Sequence, residues 1–142
     1  MSNQSDTKNL LFKEISLESA PTVVRTVESL IDEIRNELEF KEDVYGNVMI
    51  AVTEAVNNGI IHGNKLDTKK QVHIEIQCKN EYCLVVRVRD EGEGFDPSGL
   101  KDPTSPENIE NIGGRGVFLM QHLADELSFS DDGRIVEMMF NI

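Results

Sequence analysis

Residues 72–88 leave this chain few ways to fold. Val72, Ile74, Ile76 and Cys78 alternate with polar residues, and so do Leu84, Val86 and Val88 beyond the polar stretch 79–82. A period of two puts the apolar side chains of each run on one side of an extended strand. Two such runs across a short turn predict an antiparallel hairpin with one covered face. Something must supply the cover. Upstream, Val23, Val24, Val27, Leu30, Ile31, Ile34 and Leu38 recur at helical spacing, with Ser19 near the N-cap and Pro21 suited to the first turn. This helix is expected to end near Phe40. A second stripe, Val44, Val48, Val52, Ala55 and Gly59, follows Asp43, which is read as its cap. It stops at His62-Gly63, where Gly63 suits a left-handed C-terminal cap.

The remaining elements fit around that frame. Residues 10–17 read as a first strand, 116–124 as a short helix, and 127–130 with 135–142 as a closing hairpin around Asp131-Asp132-Gly133. The order β-α-α-β-β-loop-α-β-β predicts an α/β (α+β) two-layer sandwich, a mostly antiparallel sheet with helices on one face. At 142 residues the chain fits one domain, here 10–142, behind a polar tail over 1–9 that is expected to be disordered.

Charge narrows the partners. The formal net charge is −12, which argues against direct binding to nucleic acid or an anionic membrane, since both call for a basic patch. An anionic ligand would need local help from backbone N–H groups, a cation or a few basic side chains. With no leader-like segment and no long apolar run, the expected location is cytoplasmic. Cys78 is in phase with its strand's buried face and Cys83 is out of phase with the next, so their sulfurs are expected on opposite faces as reduced thiols. These two cysteines and His62, His73 and His122 show no metal-ligand spacing.

Three segments carry chemistry. Glu54 and Asn58 are one helical turn apart and share a face. A carboxylate there can take a proton, and an amide oxygen can ligate a hard cation such as Mg²⁺; a solvent-facing polar stripe is the plain alternative. The mediocre helix formers Thr53, Asn57, Asn58 and Gly59 among apolar positions favour a site. Asp90 directly follows a strand, in phase with Val86 and Val88, and should point inward. A buried carboxylate needs donors, and the amine of adenine is one. Gly92 and Gly94 let backbone approach a flat ligand. An acidic turn is the alternative; a calcium loop fails because its twelfth position holds Lys101. Gly113, Gly114, Arg115 and Gly116 open a helix, where free N–H groups and glycines can receive phosphate. Between the last two segments runs an irregular stretch with Pro97, Pro103 and Pro106, long enough to suggest function.

Together the three segments resemble the GHKL, or Bergerat-fold, ATPases. EAVNNGIIHG over 54–63 resembles the family's N box, DEGEGF over 90–95 its G1 box, and GRGVFL over 114–119 its G2 box. The order matches too, with the proline-bearing stretch in the place of the ATP lid. Within that superfamily the chain most resembles bacterial anti-sigma factors that are serine/threonine kinases. The resemblance implies ATP and Mg²⁺ as cofactors, and a sigma factor and a STAS-domain antagonist as partners; homodimerisation stays open. It implies Glu54 as general base, Asn58 on Mg²⁺, Asp90 on the adenine amine, Gly92 and Gly94 around the base, and Gly113, Gly114 and Gly116 at the phosphates. Two positions depart from it. Ile112 stands where some relatives carry Arg, with Arg115 the candidate substitute. Gly133-Arg134 stands where relatives often show Gly-Thr. Asn57 is read as helix surface and His62 as structural at a helix end. Two other functions remain compatible: an ATP-dependent binding module without phosphotransfer, and a detached histidine-kinase catalytic domain.

Overall fold

The computed structural model describes residues 11–80, 82–94 and 114–142. The elements run β1 (Leu11–Glu18), a short 3₁₀ turn (Pro21–Val23), α1 (Val24–Leu38), α2 (Glu42–Asn58), a π-helical turn (Gly59–Gly63), β2 (Gln71–Asn80), β3 (Cys83–Arg89), α3 (Gly114–Leu123), β4 (Glu126–Ser130) and β5 (Ile135–Asn141). The strands form one sheet in the order β1-β2-β3-β5-β4. Every pairing among the described residues is antiparallel, where a mostly antiparallel sheet was expected.

Register follows the alternation. Ile15, Ile74, Val88 and Val136 lie opposite one another across four strands and face the helices. One residue along, Glu14, Glu75, Arg87 and Glu137 form the matching row on the uncovered face, where Arg87 Nε sits 3.4 Å from Glu137 Oε2. A slip by one residue would exchange the two rows and bury the charges. The core joins Val27, Ile31 and Ile34 of α1 and Val48, Val52 and Ala55 of α2 to Ile76, Val86 and Met138 of the sheet. Burying a side chain of that size contributes about 1.5–3 kcal/mol. Cys78 is buried and Cys83 half-buried, both as free thiols.

Two helix ends differ from expectation. Glu39 takes the left-handed conformation and ends α1, and extended Lys41 then opens α2 at Glu42. Asp43 therefore lies inside the first turn, where its charge suits the helix dipole, and does not cap it. Gly63 is not left-handed; the positive φ angles fall on Lys65 (54°) and Leu66 (61°). The helix tightens no cap at Gly63 but widens into the π turn, and the backbone reverses two residues later. The third helix starts at Gly114, two residues before the expected Gly116.

Candidate functional site

A cavity of about 300 Å³ opens between the π turn, the end of β3, α3 and the β4–β5 hairpin. That is the small end of the range for ligand pockets. Its wall includes Asn58, His62, Asp90, Gly94, Met120 and Arg134.

Asp90 is half-buried in this wall, at the point where β3 ends. Its N–H donates to Arg134 O on the neighbouring hairpin (3.0 Å), and its Oδ1 accepts the Gly92 N–H (2.8 Å). Oδ2 has no hydrogen-bond partner among the described residues. Burial pushes the carboxyl above its usual range; the Gly92 N–H bond and then the Arg134 charge pull it back down. An acceptor held this way at a cavity wall suits a donor on a flat ligand.

Glycines bring the N-box segment against this turn. A Cβ at Gly63 would lie 2.5 Å from the Asp90 carboxyl carbon, and one at Gly92 would lie 2.0 Å from Gly63 O. Neither approach survives a side chain, which is the physical reason for glycine at 63. Gly92 thus shapes the cavity from behind, while Gly94, at φ 83°, lies in the wall itself. Gly94 has a second constraint, because a Cβ there would meet Asp132 O at 2.3 Å.

The other end is built differently. Asn58, on the last turn of α2, faces the start of α3, where a Cβ on Gly116 would come within 2.5 Å of Asn58 Nδ2. Glu54 is half-buried one turn earlier, on the same helix face but outside the cavity wall. Neither side chain makes a hydrogen bond or ion pair among the described residues. Gly114 opens α3. Gly113, Ile112, the stretch 95–111 expected to form a lid, and the side chain of Arg115 lie outside the described residues. No three His, Cys, Asp or Glu gather to hold a metal among the described residues. A lone amide such as Asn58 suits Mg²⁺ that arrives on phosphates and keeps several waters.

Three residues of the site escaped the sequence reading. His62, expected to be structural, is exposed and lines the cavity. Arg134 grips the Asp90 turn, its Nε donating to Gly92 O (2.8 Å) and its Nη2 to Glu93 O (2.9 Å). Asn64 is buried at 1% exposure, and its Oδ1 accepts the Glu91 N–H at 2.8 Å. The signals were slight: an Arg where relatives carry Thr, and a polar residue directly after the Gly63 that ends the N box.

Similar curated proteins include serine-protein kinases RsbW: that of Oceanobacillus iheyensis is 23% identical, with 92% of this chain and 86% of the relative covered. That of Listeria innocua is 28% identical, covering 87% and 83%, and that of Bacillus subtilis 25%, covering 98% and 87%. Among solved structures, the RsbU and RsbW domains of a Mycobacterium tuberculosis protein share the fold at a TM-score of 0.65 and 16% identity. That match covers 92% of this chain, which spans about a third (32%) of the solved one. The family described as histidine kinase-like ATPase domain matches residues 17–140, and with three ordered boxes around one cavity the chain belongs to that family.

Proposed function

We propose that this chain is an ATP-dependent serine-protein kinase of a partner-switching circuit, which binds a sigma factor and phosphorylates a STAS-domain antagonist in the cytoplasm. The observation that carries it is the run of α2 and the π turn along the cavity. Asn58, Gly59, His62 and Gly63 follow one another along the cavity wall, with Glu54 one turn before them and the Asp90 carboxylate against Gly63 at the far end. Asp90 Oδ2 accepts the adenine amine, with Gly94 against the base. The start of α3, from Gly114 to Gly116, offers N–H groups to the phosphates; the sequence adds Gly113 directly before it and a positive charge in Arg115. Mg²⁺, when bound through Asn58, neutralises phosphate charge.

The reaction would be mostly positioning. The acceptor serine oxygen forms a bond to the γ-phosphorus as the bond to the β–γ bridging oxygen breaks. ADP leaves, and the hydroxyl proton goes to the Glu54 carboxylate. Being outside the cavity wall leaves Glu54 next to the place where a protein substrate would arrive. The names of the curated relatives support the same chemistry.

The test is incubation with Mg-ATP and candidate STAS-domain proteins, read by mass spectrometry for phosphoserine. Transfer that disappears in Glu54→Ala while ATP still binds supports the proposal. No transfer to any candidate, or normal transfer by Glu54→Ala, overturns it. Ile112, in the place of an Arg, motivates a second reading in which ATP tunes partner binding without transfer. Nucleotide-dependent capture of a sigma factor with no phosphoprotein would select that reading.

A further inference from the structure

We propose that Asn64 is a positioning residue for nucleotide recognition, fixing the Asp90 turn from behind so that its carboxylate is aimed before ligand arrives. The inference rests on Asp90 reading the adenine amine. Asn64 lies one residue beyond the π turn and is 1% exposed. Its backbone N–H donates to Gly59 O (2.8 Å), which ties it to the end of the N box. Its side chain then reaches three further segments. Nδ2 donates to Ser19 Oγ (2.8 Å), at the end of β1, and to Gln71 O (3.0 Å), at the start of β2. Oδ1 accepts the Glu91 N–H (2.8 Å).

The direction of every bond is determined. Ser19 Oγ donates its one proton to Lys70 O (2.7 Å), so toward Asn64 it can only accept. Gln71 O is a carbonyl, and Glu91 N–H is a donor. Only an amide with its nitrogen toward Ser19 and its oxygen toward Glu91 satisfies all three. The two peptides that flank the Asp90 Cα are thereby each held. The Asp90 N–H is bound to Arg134 O on the β5 side, and the Glu91 N–H to Asn64 on the π-turn side. With Gly92 N–H on Oδ1, little freedom is left to the carboxylate, and Oδ2 keeps its aim. Preorganisation of this kind raises selectivity as well as affinity.

Asn64→Asp tests it with almost no change of shape. An ionised oxygen would replace the donor that faces Ser19 Oγ and Gln71 O; the carbonyl has no proton to give, and the hydroxyl can give its own only by releasing Lys70 O. Ser19→Ala is the milder companion, which keeps the bond from Asn64 to Glu91 N–H. The measurement is the affinity for ATP relative to inosine triphosphate, by calorimetry below the melting temperature of each variant. The two nucleotides share ribose and phosphates, but inosine carries a carbonyl where adenine has its amine. The wild-type chain should prefer ATP, Asn64→Asp should cut that preference at least tenfold, and Ser19→Ala about threefold. A general loss of stability would lower the melting temperature and leave the ratio alone. Folded variants that both keep the wild-type ratio overturn the role of Asn64 while leaving that of Asp90 intact. A wild-type chain without preference for ATP removes the Asp90 role, and this inference with it.

Discussion

The two ends of the cavity are built on opposite plans. Around Asp90 almost every polar group is spoken for: Arg134 holds Gly92 O and Glu93 O, Asn64 holds the Glu91 N–H, and Gly92 holds Oδ1. At Glu54 and Asn58 the helix backbone is regular, and among the described residues the side chains have no polar partners. Under the proposed function, the difference separates recognition from reaction. A base of fixed shape is best met by an acceptor aimed in advance, since ordering it on binding would cost affinity. Phosphates, a cation and a protein hydroxyl arrive together, and side chains that meet them must be free to do so.

The contrast can be broken by substitutions on either side. The largest effect is expected at the free end: Glu54→Ala should lower phosphotransfer by roughly 100-fold or more, the usual contribution of a general base. Its ATP affinity in calorimetry should stay within about twofold; an equal loss of affinity would mean that Glu54 belongs to binding. At the held end, Asp90→Asn should weaken ATP binding by roughly 10–150-fold, the equivalent of about 1.5–3 kcal/mol for a hydrogen bond to a charged group. Unchanged affinity would remove Asp90 from the site.

A matched pair of glycines sharpens the comparison. A Cβ at either Gly63 or Gly116 would come within 2.5 Å of a polar side chain, that of Asp90 or Asn58. The Asp90 side chain is pinned, so Gly63→Ala should lower the unfolding free energy by about 1–3 kcal/mol, as overpacking does. The Asn58 side chain can swing away, so Gly116→Ala should leave thermal stability nearly unchanged and lower phosphotransfer instead. Equal melting temperatures for the two variants would contradict the division between a rigid and a free end.

The smallest effect is on pH dependence without nucleotide. Burial raises the Asp90 pKa in the folded chain above its unfolded value of about 3.9. A raised folded pKa contributes stability that is present below the unfolded value and lost as pH rises through the folded one. At neutral pH the ionised Asp90 is thus a burden on the empty protein. Asp90→Asn should melt slightly higher than wild type at neutral pH, with the gain shrinking as the pH falls toward 4. A gain that grows on acidification would reverse the sign of the burial effect.

Much of this was legible in residue order. The alternation of Val72, Ile74, Ile76 and Cys78 and the stripe from Val27 to Ile34 each report which face is buried, because pleat and helix repeat at fixed intervals. Asp90 was legible for the same reason, being in phase with Val86 and Val88 at the end of a strand. Gly63 was seen but misread. Its neighbourhood in sequence suggested a left-handed cap, while its true constraint is a carboxylate 27 positions away, which no local rule reports.

Sequence by itself determined the layers, the direction in which each element faces, and the residue types of the three boxes, since these follow from local periodicity and side-chain chemistry. Only the tertiary structure decided what holds the boxes together. Asn64 bridges the ends of β1 and the π turn to β2 and the Asp90 turn, and Arg134 reaches back 42 residues to Gly92. Such bonds depend on where four distant backbone segments end in space, and a lone Asn or Arg has no period to announce them.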